Sequence, residues 1–265
     1  MWGLFKLNYK EDMMKRILVF AFGLVSYLIF FAVFLYWIGF MDNILVPKGI
    51  DSGATGSILL AFVINFLLVT IFGLQHSTMA RGKFKKWLTG FVPRAAERSV
   101  YVLISSLILI LVFWLWQPVE INIWHVENSA LQSVIYALFA LGWVILLIST
   151  FLINHFELFG LQQIYLNLRN MPMKYPEFQM PLFYRIVRHP MMIGVIIAIW
   201  ATPNMTLGHL MFSVFMTGYI LVGTYFEEQD LVKHFGGKYI MYRNAVPKMV
   251  PVGRKKFPEE LSALK

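Results

Sequence analysis

Four apolar runs, at about residues 17–41, 57–76, 99–116 and 130–153, and a fifth apolar region from Met191 to Phe226, carry no Lys, Arg, Asp or Glu. A helix needs about twenty such residues to cross the hydrocarbon of a bilayer. In lipid each backbone N–H and C=O must find its partner inside the chain, so runs of this length are helices. The fifth region is broken at Thr202-Pro203-Asn204, where proline removes a donor and favours a turn. Its first arm, about 191–201, has half the usual spanning length, and its second, about 207–226, is long enough to span. The expected fold is therefore all-α: a polytopic transmembrane helix bundle of four long spans plus a C-terminal helical hairpin whose first arm is short or partly re-entrant. The first run is too long for a signal-peptide core and lacks a small-residue cleavage site, so we expect it to be retained. No internal repeat or second soluble domain stands out, and residues 1–265 read as one membrane domain.

Composition agrees, with 58% apolar and 14% charged residues, against roughly a quarter charged in a soluble domain. Cysteine is absent, which excludes disulfides, iron–sulfur clusters, thiolate zinc sites and a cysteine nucleophile. The net charge of +9 need not mean nucleic acid, and we expect none as a partner. Every Lys and Arg except Lys48 falls in the N-terminal segment, the 77–98 loop, the 154–190 loop or the tail after Phe226. The positive-inside rule places those segments in the cytoplasm. We expect both termini there, in a bacterial inner (plasma) membrane. Intramembrane charges usually mark ion or proton pathways, so their absence argues against a pump.

The polar residues gather at the inner helix ends instead. Span two ends in Gln75-His76-Ser77, and span four in Asn154-His155 with Glu157 next. The hairpin opens with Tyr184, Arg185 and Arg188-His189-Pro190 and closes with Glu227-Glu228. Polar helix ends with snorkelling Arg and Lys are ordinary at an interface. His125 and His209 lie elsewhere and read as structural. A haem held by His76 and His155 has no supporting motif, and no metal site is expected. Two details are more specific. Pro190 suits the first turn of a helix, whose free amides favour an anion such as a carboxylate, with Arg188 and His189 as added donors. Glu227 and Glu228 return to the same face, where carboxylates suit an ammonium or ribose hydroxyls.

Arg188-His189-Pro190, Gly194, Glu227-Glu228, Phe235-Gly236, Tyr239, Tyr242, Arg243 and Val246-Pro247 resemble the C-terminal signature of the isoprenylcysteine carboxyl methyltransferase and phospholipid methyltransferase superfamily, at about 184–251 here. His76-Ser77, Met79-Ala80-Arg81, Glu97-Arg98-Ser99, Tyr101-Val102-Leu103, Asn154 to Leu161 and Trp200 to Pro203 resemble more narrowly the methanethiol S-methyltransferase family. A more distant similarity is to membrane proteins associated with nitrite and nitric oxide reductase. The resemblance implies S-adenosylmethionine as cofactor, a small volatile thiol as substrate, a lipid setting, and methylation of methanethiol to dimethyl sulfide. Another small thiol, hydrogen sulfide, or NADPH-dependent membrane reduction are the alternatives.

Methyl transfer is an in-line displacement, so positioning dominates, with the reacting atoms held about 3–3.5 Å apart. The acceptor reacts as a thiolate, and imidazole can take its proton near neutral pH. His155 and His76 are the candidate bases, with Asn154 to orient His155 or hydrogen-bond the thiol. For the cofactor, the candidates are Arg188 and His189, with Pro190, at its carboxylate end, and Glu227 and Glu228 at its ammonium or ribose. Tyr239 and Tyr242 stand against its adenosyl group, and Tyr184 and Gly194 complete the signature. Arg243 belongs to the same set, or instead pairs with a glutamate to hold the tail shut.

Overall fold

A computed structural model describes residues 2–173 and 178–253. Lys174 and the basic residues after Gly253, which enter the orientation argument, lie outside the described residues. Five helical segments are long and apolar enough to cross a membrane, marking an integral membrane protein: Asp12–Asp42, Ile58–Met79, Arg94–Leu115, Ser129–Ile153 and Leu207–Phe235. In chain order the helices are α1 (Trp2–Asp42), α2 (Ile58–Met79), α3 (Gly82–Leu88), α4 (Glu97–Leu115), α5 (Ser129–Ile153), α6 (His155–Leu158), α7 (Leu161–Leu168), α8 (Pro190–Trp200), α9 (Leu207–Phe235) and α10 (Gly237–Ala245). Their outward faces carry Leu24, Leu28, Leu59, Phe66, Leu141 and Ile148, side chains that lipid accepts.

The starts follow local chemistry. Ser57 and Asn128 cap α2 and α5 by accepting from Leu60 N and Leu131 N, as N-cap side chains do. Pro190 opens α8 at its first turn. Thr206 caps α9 by accepting from His209 N at 3.0 Å, and its hydroxyl donates to Asp51.

Helix α8 packs tightly on α5 because glycines face each other. A Cβ on Gly142 would lie 2.6 Å from Ala198 N, and one on Gly194 would lie 2.6 Å from the Gly142 carbonyl oxygen. Small residues let helix backbones approach this closely in membranes. Helix α8 has 11 residues, about 16 Å of rise, which is half a bilayer. The remaining length comes from extended chain. Strand β1 (Asn122–His125), after α4, pairs antiparallel with β2 (Asn204–Thr206), just before α9. The hairpin tip thus reaches the same end of the bundle as the α4–α5 connection, rather than turning back midway. Lys48 sits at that end too, and its ammonium donates to the carbonyls of Trp114 at 2.5 Å and Trp116 at 2.9 Å, closing the C-terminus of α4.

Candidate functional site at the basic end of the bundle

Two polar clusters lie at the opposite end, where α2, α5 and α9 finish and α4 and α8 begin. At the foot of the hairpin, Arg188 Nε donates to Glu228 Oε1 at 2.8 Å, and His189 Nε2 lies 3.0 Å from the same oxygen. The imidazole and the Glu228 side chain are nearly enclosed. Arg188 Nη1 also donates to the carbonyls of Arg243 at 2.6 Å and Val246 at 2.9 Å. The backbone continues the contact, with Arg188 N and His189 N donating to the oxygens of Pro247 and Lys248. Arg188 is therefore a bracket that fixes α10 and the segment after it to the hairpin. Its fork geometry serves two carbonyls and a carboxylate at once.

This arrangement assigns the sequence candidates unequally. Arg243 contributes its carbonyl to Arg188, and no ion pair joins its side chain to a glutamate among the described residues. Gly194 is used in the α5 crossing. Glu227 differs from its neighbour. Its side chain is 50% exposed, 3.7 Å from His189 Nδ1, and within electrostatic range of the Tyr101, Tyr184, Tyr219 and Tyr239 hydroxyls. Tyr239 and Tyr242 are buried with Met180 and Val246, and Tyr242 donates to the Tyr184 carbonyl at 2.6 Å. Burial pushes the phenols of Tyr184, Tyr239 and Tyr242 well above their usual range, so all three stay neutral donors.

The two catalytic histidine candidates are separated, and their surroundings differ. Asn154 takes φ of 128°, a left-handed-side conformation that Asn tolerates better than most residues. Its Oδ1 caps α6 at Glu157 N, and its Nδ2 donates to Glu157 and Gln162. That turn carries His155 inward, where both ring nitrogens have protein partners: Thr150 Oγ1 at 2.8 Å on Nδ1 and Tyr27 Oη at 2.9 Å on Nε2. The Thr150 hydroxyl donates to the Leu147 carbonyl, so it accepts from Nδ1–H, and Nε2 accepts from Tyr27. Phe151 stacks on the ring at 4.3 Å. His155 is a clamp between α1 and the end of α5, and burial lowers its pKa. Asn154, engaged on three sides, builds the turn.

His76 is arranged otherwise. Its Nε2 lies 2.7 Å from Tyr101 Oη, while Nδ1 is buried with no hydrogen-bond partner. Phe72, Tyr101 and Tyr219 surround the ring at centroid distances of 5.3, 5.0 and 6.4 Å. Tyr219 reaches this position because residue 73 is glycine, where a Cβ would stand 2.6 Å from its ring. Tyr101 entered the sequence analysis only within the family resemblance and Tyr219 not at all, since tyrosines within apolar spans look like packing. Both also stand in a helical-turn relation to the polar ends, Tyr101 four residues after Glu97 and Tyr219 eight before Glu227.

A family model described as NnrU protein matches residues 64–229. The methanethiol S-methyltransferase of Crocosphaera subtropica is 47% identical over 246 residues, 92% of this chain and 96% of that protein. The methanethiol S-methyltransferase of Mycobacterium tuberculosis is 48% identical over 238 residues, 90% of this chain and 98% of that protein. The Nurim protein of Bos taurus is 24% identical over 183 residues, 66% of this chain and 70% of that protein. No solved structure matches. The chain belongs to the NnrU protein family and to the methanethiol S-methyltransferase family.

Proposed function

We propose that the protein transfers a methyl group from S-adenosylmethionine to methanethiol, giving dimethyl sulfide, at the cytoplasmic face of the membrane. The acceptor and reaction follow the names of relatives 46–49% identical over most of the chain. The observation that carries the cofactor site is the convergence of Arg188 and His189 on one oxygen of Glu228, with Glu227 half-exposed beside it. The basic loops at this end support a cytoplasmic face.

The donor set fits the cofactor. Glu227 offers a carboxylate to its ammonium or ribose hydroxyls, and Glu228 is held in place by two donors for the same purpose. The free amides at the start of α8, after Pro190, suit its carboxylate. Tyr184, Tyr239 and Tyr242 supply a neutral wall for the adenosyl group. Arg188 acts through Glu228 and the tail rather than on the ligand. When bound, the cofactor supplies an electrophilic methyl on a sulfonium. The chain's task is then to position and deprotonate the thiol. Of the two histidines, His76 is the better base, because His155 has both nitrogens occupied while His76 Nδ1 is buried without a hydrogen-bond partner.

Calorimetry on the detergent-solubilised protein tests the site. S-adenosylmethionine should bind, and Glu227→Gln and Glu228→Gln should each weaken binding roughly ten- to a hundredfold, the effect of about 1.5–3 kcal/mol per charged hydrogen bond. Unchanged affinity in both variants, or binding of NADPH in place of S-adenosylmethionine, overturns the assignment.

A further inference from the structure

We propose that α3 is an interfacial anchor for anionic phospholipid: Lys83 and Lys86 meet the headgroup phosphates, and Trp87 with Phe91 sits at the top of the acyl chains. The anchor is independent of the reaction catalysed.

Five cations and no acid lie between Ser77 and Ala96, and the fold divides them. Arg81 belongs to the bundle. Its Nη1 donates to Asp230 Oδ2 at 2.6 Å and to the Phe226 carbonyl at 3.2 Å, and its guanidinium carbon stands 5.1 Å from the centre of the Phe226 ring. Lys85 is half-buried, within electrostatic range of Glu97. Lys83, Lys86 and Arg94 are exposed, and none of the three has an ion-pair partner among the described residues.

The apolar side chains of the helix divide in the same way. Phe84 and Leu88 pack against Met79, Tyr101 and Val102, which fixes α3 to the inner ends of α2 and α4. Lys83, Lys86 and Trp87 stand at i, i+3 and i+4 and so share the other face. Trp87 is 57% and Phe91 74% exposed, and their rings meet edge to face at a centroid distance of 5.2 Å. A stripe of cations and large aromatics therefore lies open on a helix held firmly at its back.

The position of this stripe identifies what covers it. Faces turned to hydrocarbon, such as that of Leu59 and Phe66 on α2, carry no charge, so two ammonium groups beside an indole do not lie at that depth. Yet α3 begins three residues after span α2 ends and is followed closely by span α4, which keeps it against the bilayer. The headgroup layer remains. Aromatic rings settle there, lysine stems run along apolar surface while their ammonium groups reach outward, and a helix with basic residues beside Trp and Phe lies in the plane of the interface. Zwitterionic lipid would satisfy the aromatics alone. Lysines with no acid beside them favour an anionic headgroup, by about fivefold for each cation.

The full-length protein in phosphatidylcholine vesicles tests the anchor. A minor share of the lipid is replaced by phosphatidylglycerol, or by phosphatidylcholine, brominated high on one acyl chain. Bromine quenches tryptophan on contact, and comparison with Trp87→Phe isolates the contribution of residue 87 from those of the other tryptophans. Both lipids should quench Trp87, brominated phosphatidylglycerol more strongly at equal content. That preference should fall as salt rises from about 0.02 M to about 0.5 M. Lys83→Gln with Lys86→Gln should lower it roughly tenfold or more, with quenching by brominated phosphatidylcholine unchanged, and Lys83→Arg with Lys86→Arg should keep it. Equal quenching by the two lipids overturns the proposal, as does a preference that survives loss of both lysines. Quenching by neither lipid puts water or a second copy of the chain over this face and overturns it too. So does loss of the preference to inorganic phosphate at an ionic strength matched with chloride, which would make this a phosphate site rather than a lipid one.

Discussion

Replacing Arg188 by alanine separates a structural bracket from a ligand contact. The side chain is 10% exposed and supplies three hydrogen bonds, to Glu228 Oε1 and to the carbonyls of Arg243 and Val246. Truncating it strands a nearly buried carboxylate on His189 alone. Breaking a buried pair by removing one partner costs about 3–5 kcal/mol. At about 2–4 °C per kcal/mol for a chain of this size, the apparent melting temperature in detergent should fall roughly 6–20 °C. Arg188→Lys should recover little, because a point charge cannot serve a carboxylate and two carbonyls together. Adding Glu228→Gln to Arg188→Ala should restore part of the loss, since the stranded charge is removed. A melting temperature within about 2 °C of wild type for Arg188→Ala, or a double variant as poor as the sum of the singles, refutes the bracket.

Other outcomes follow from the same structure. Gly142→Ala and Gly194→Ala force a methyl into facing backbone and should each destabilise by about 1–3 kcal/mol, read as a lowered melting temperature; unchanged melting would mean α5 and α8 are not held this close. Burial lowers the His155 pKa in the folded chain. The unfolded chain therefore takes up that proton first as pH falls below about 6.5, and stability present above that pH is lost on acidification toward the folded pKa. His155→Gln should flatten this dependence, and an unaltered pH–stability curve would contradict it. Lys48→Met removes two bonds to the end of α4 and should cost about 1.5–3 kcal/mol, measurable by the same melting assay. In the cysteine-free chain, a single cysteine at residue 122 should react with an impermeant reagent from outside intact cells and one at residue 83 should not; the reverse pattern inverts the topology.

The spans were legible because an uncharged apolar run of twenty residues has one stable form in lipid. Pro190 and Thr202-Pro203-Asn204 likewise marked the ends of α8 through local backbone chemistry. What sequence could not supply was pairing. The β1–β2 ribbon joins Asn122 to Thr206, and neither three- nor four-residue strand has a periodic signal of its own. Because of that ribbon, the short arm reaches the far end of the bundle, which length alone left open. Lys48 looked like the stray exception to the charge asymmetry, and its role as a helix cap depends on where α4 ends in space. The site shows the same division. Arg188, His189 and Glu228 were visible as a group, but not that Arg188 faces inward to the tail. His76 and His155 looked alike in sequence. Tyr27, 128 residues from His155, closes one ring, while the other keeps a buried nitrogen without a hydrogen-bond partner. That contrast exists only after the helices pack.

Methyl transfer itself can be followed directly. Purified protein should be sealed with methanethiol and S-adenosylmethionine carrying a trideuterated methyl group, and the headspace analysed by mass spectrometry. Dimethyl sulfide bearing one CD3 and one CH3 group should form in proportion to the protein and be absent without the cofactor. Headspace without labelled dimethyl sulfide, from protein that is folded and binds the cofactor, would contradict it.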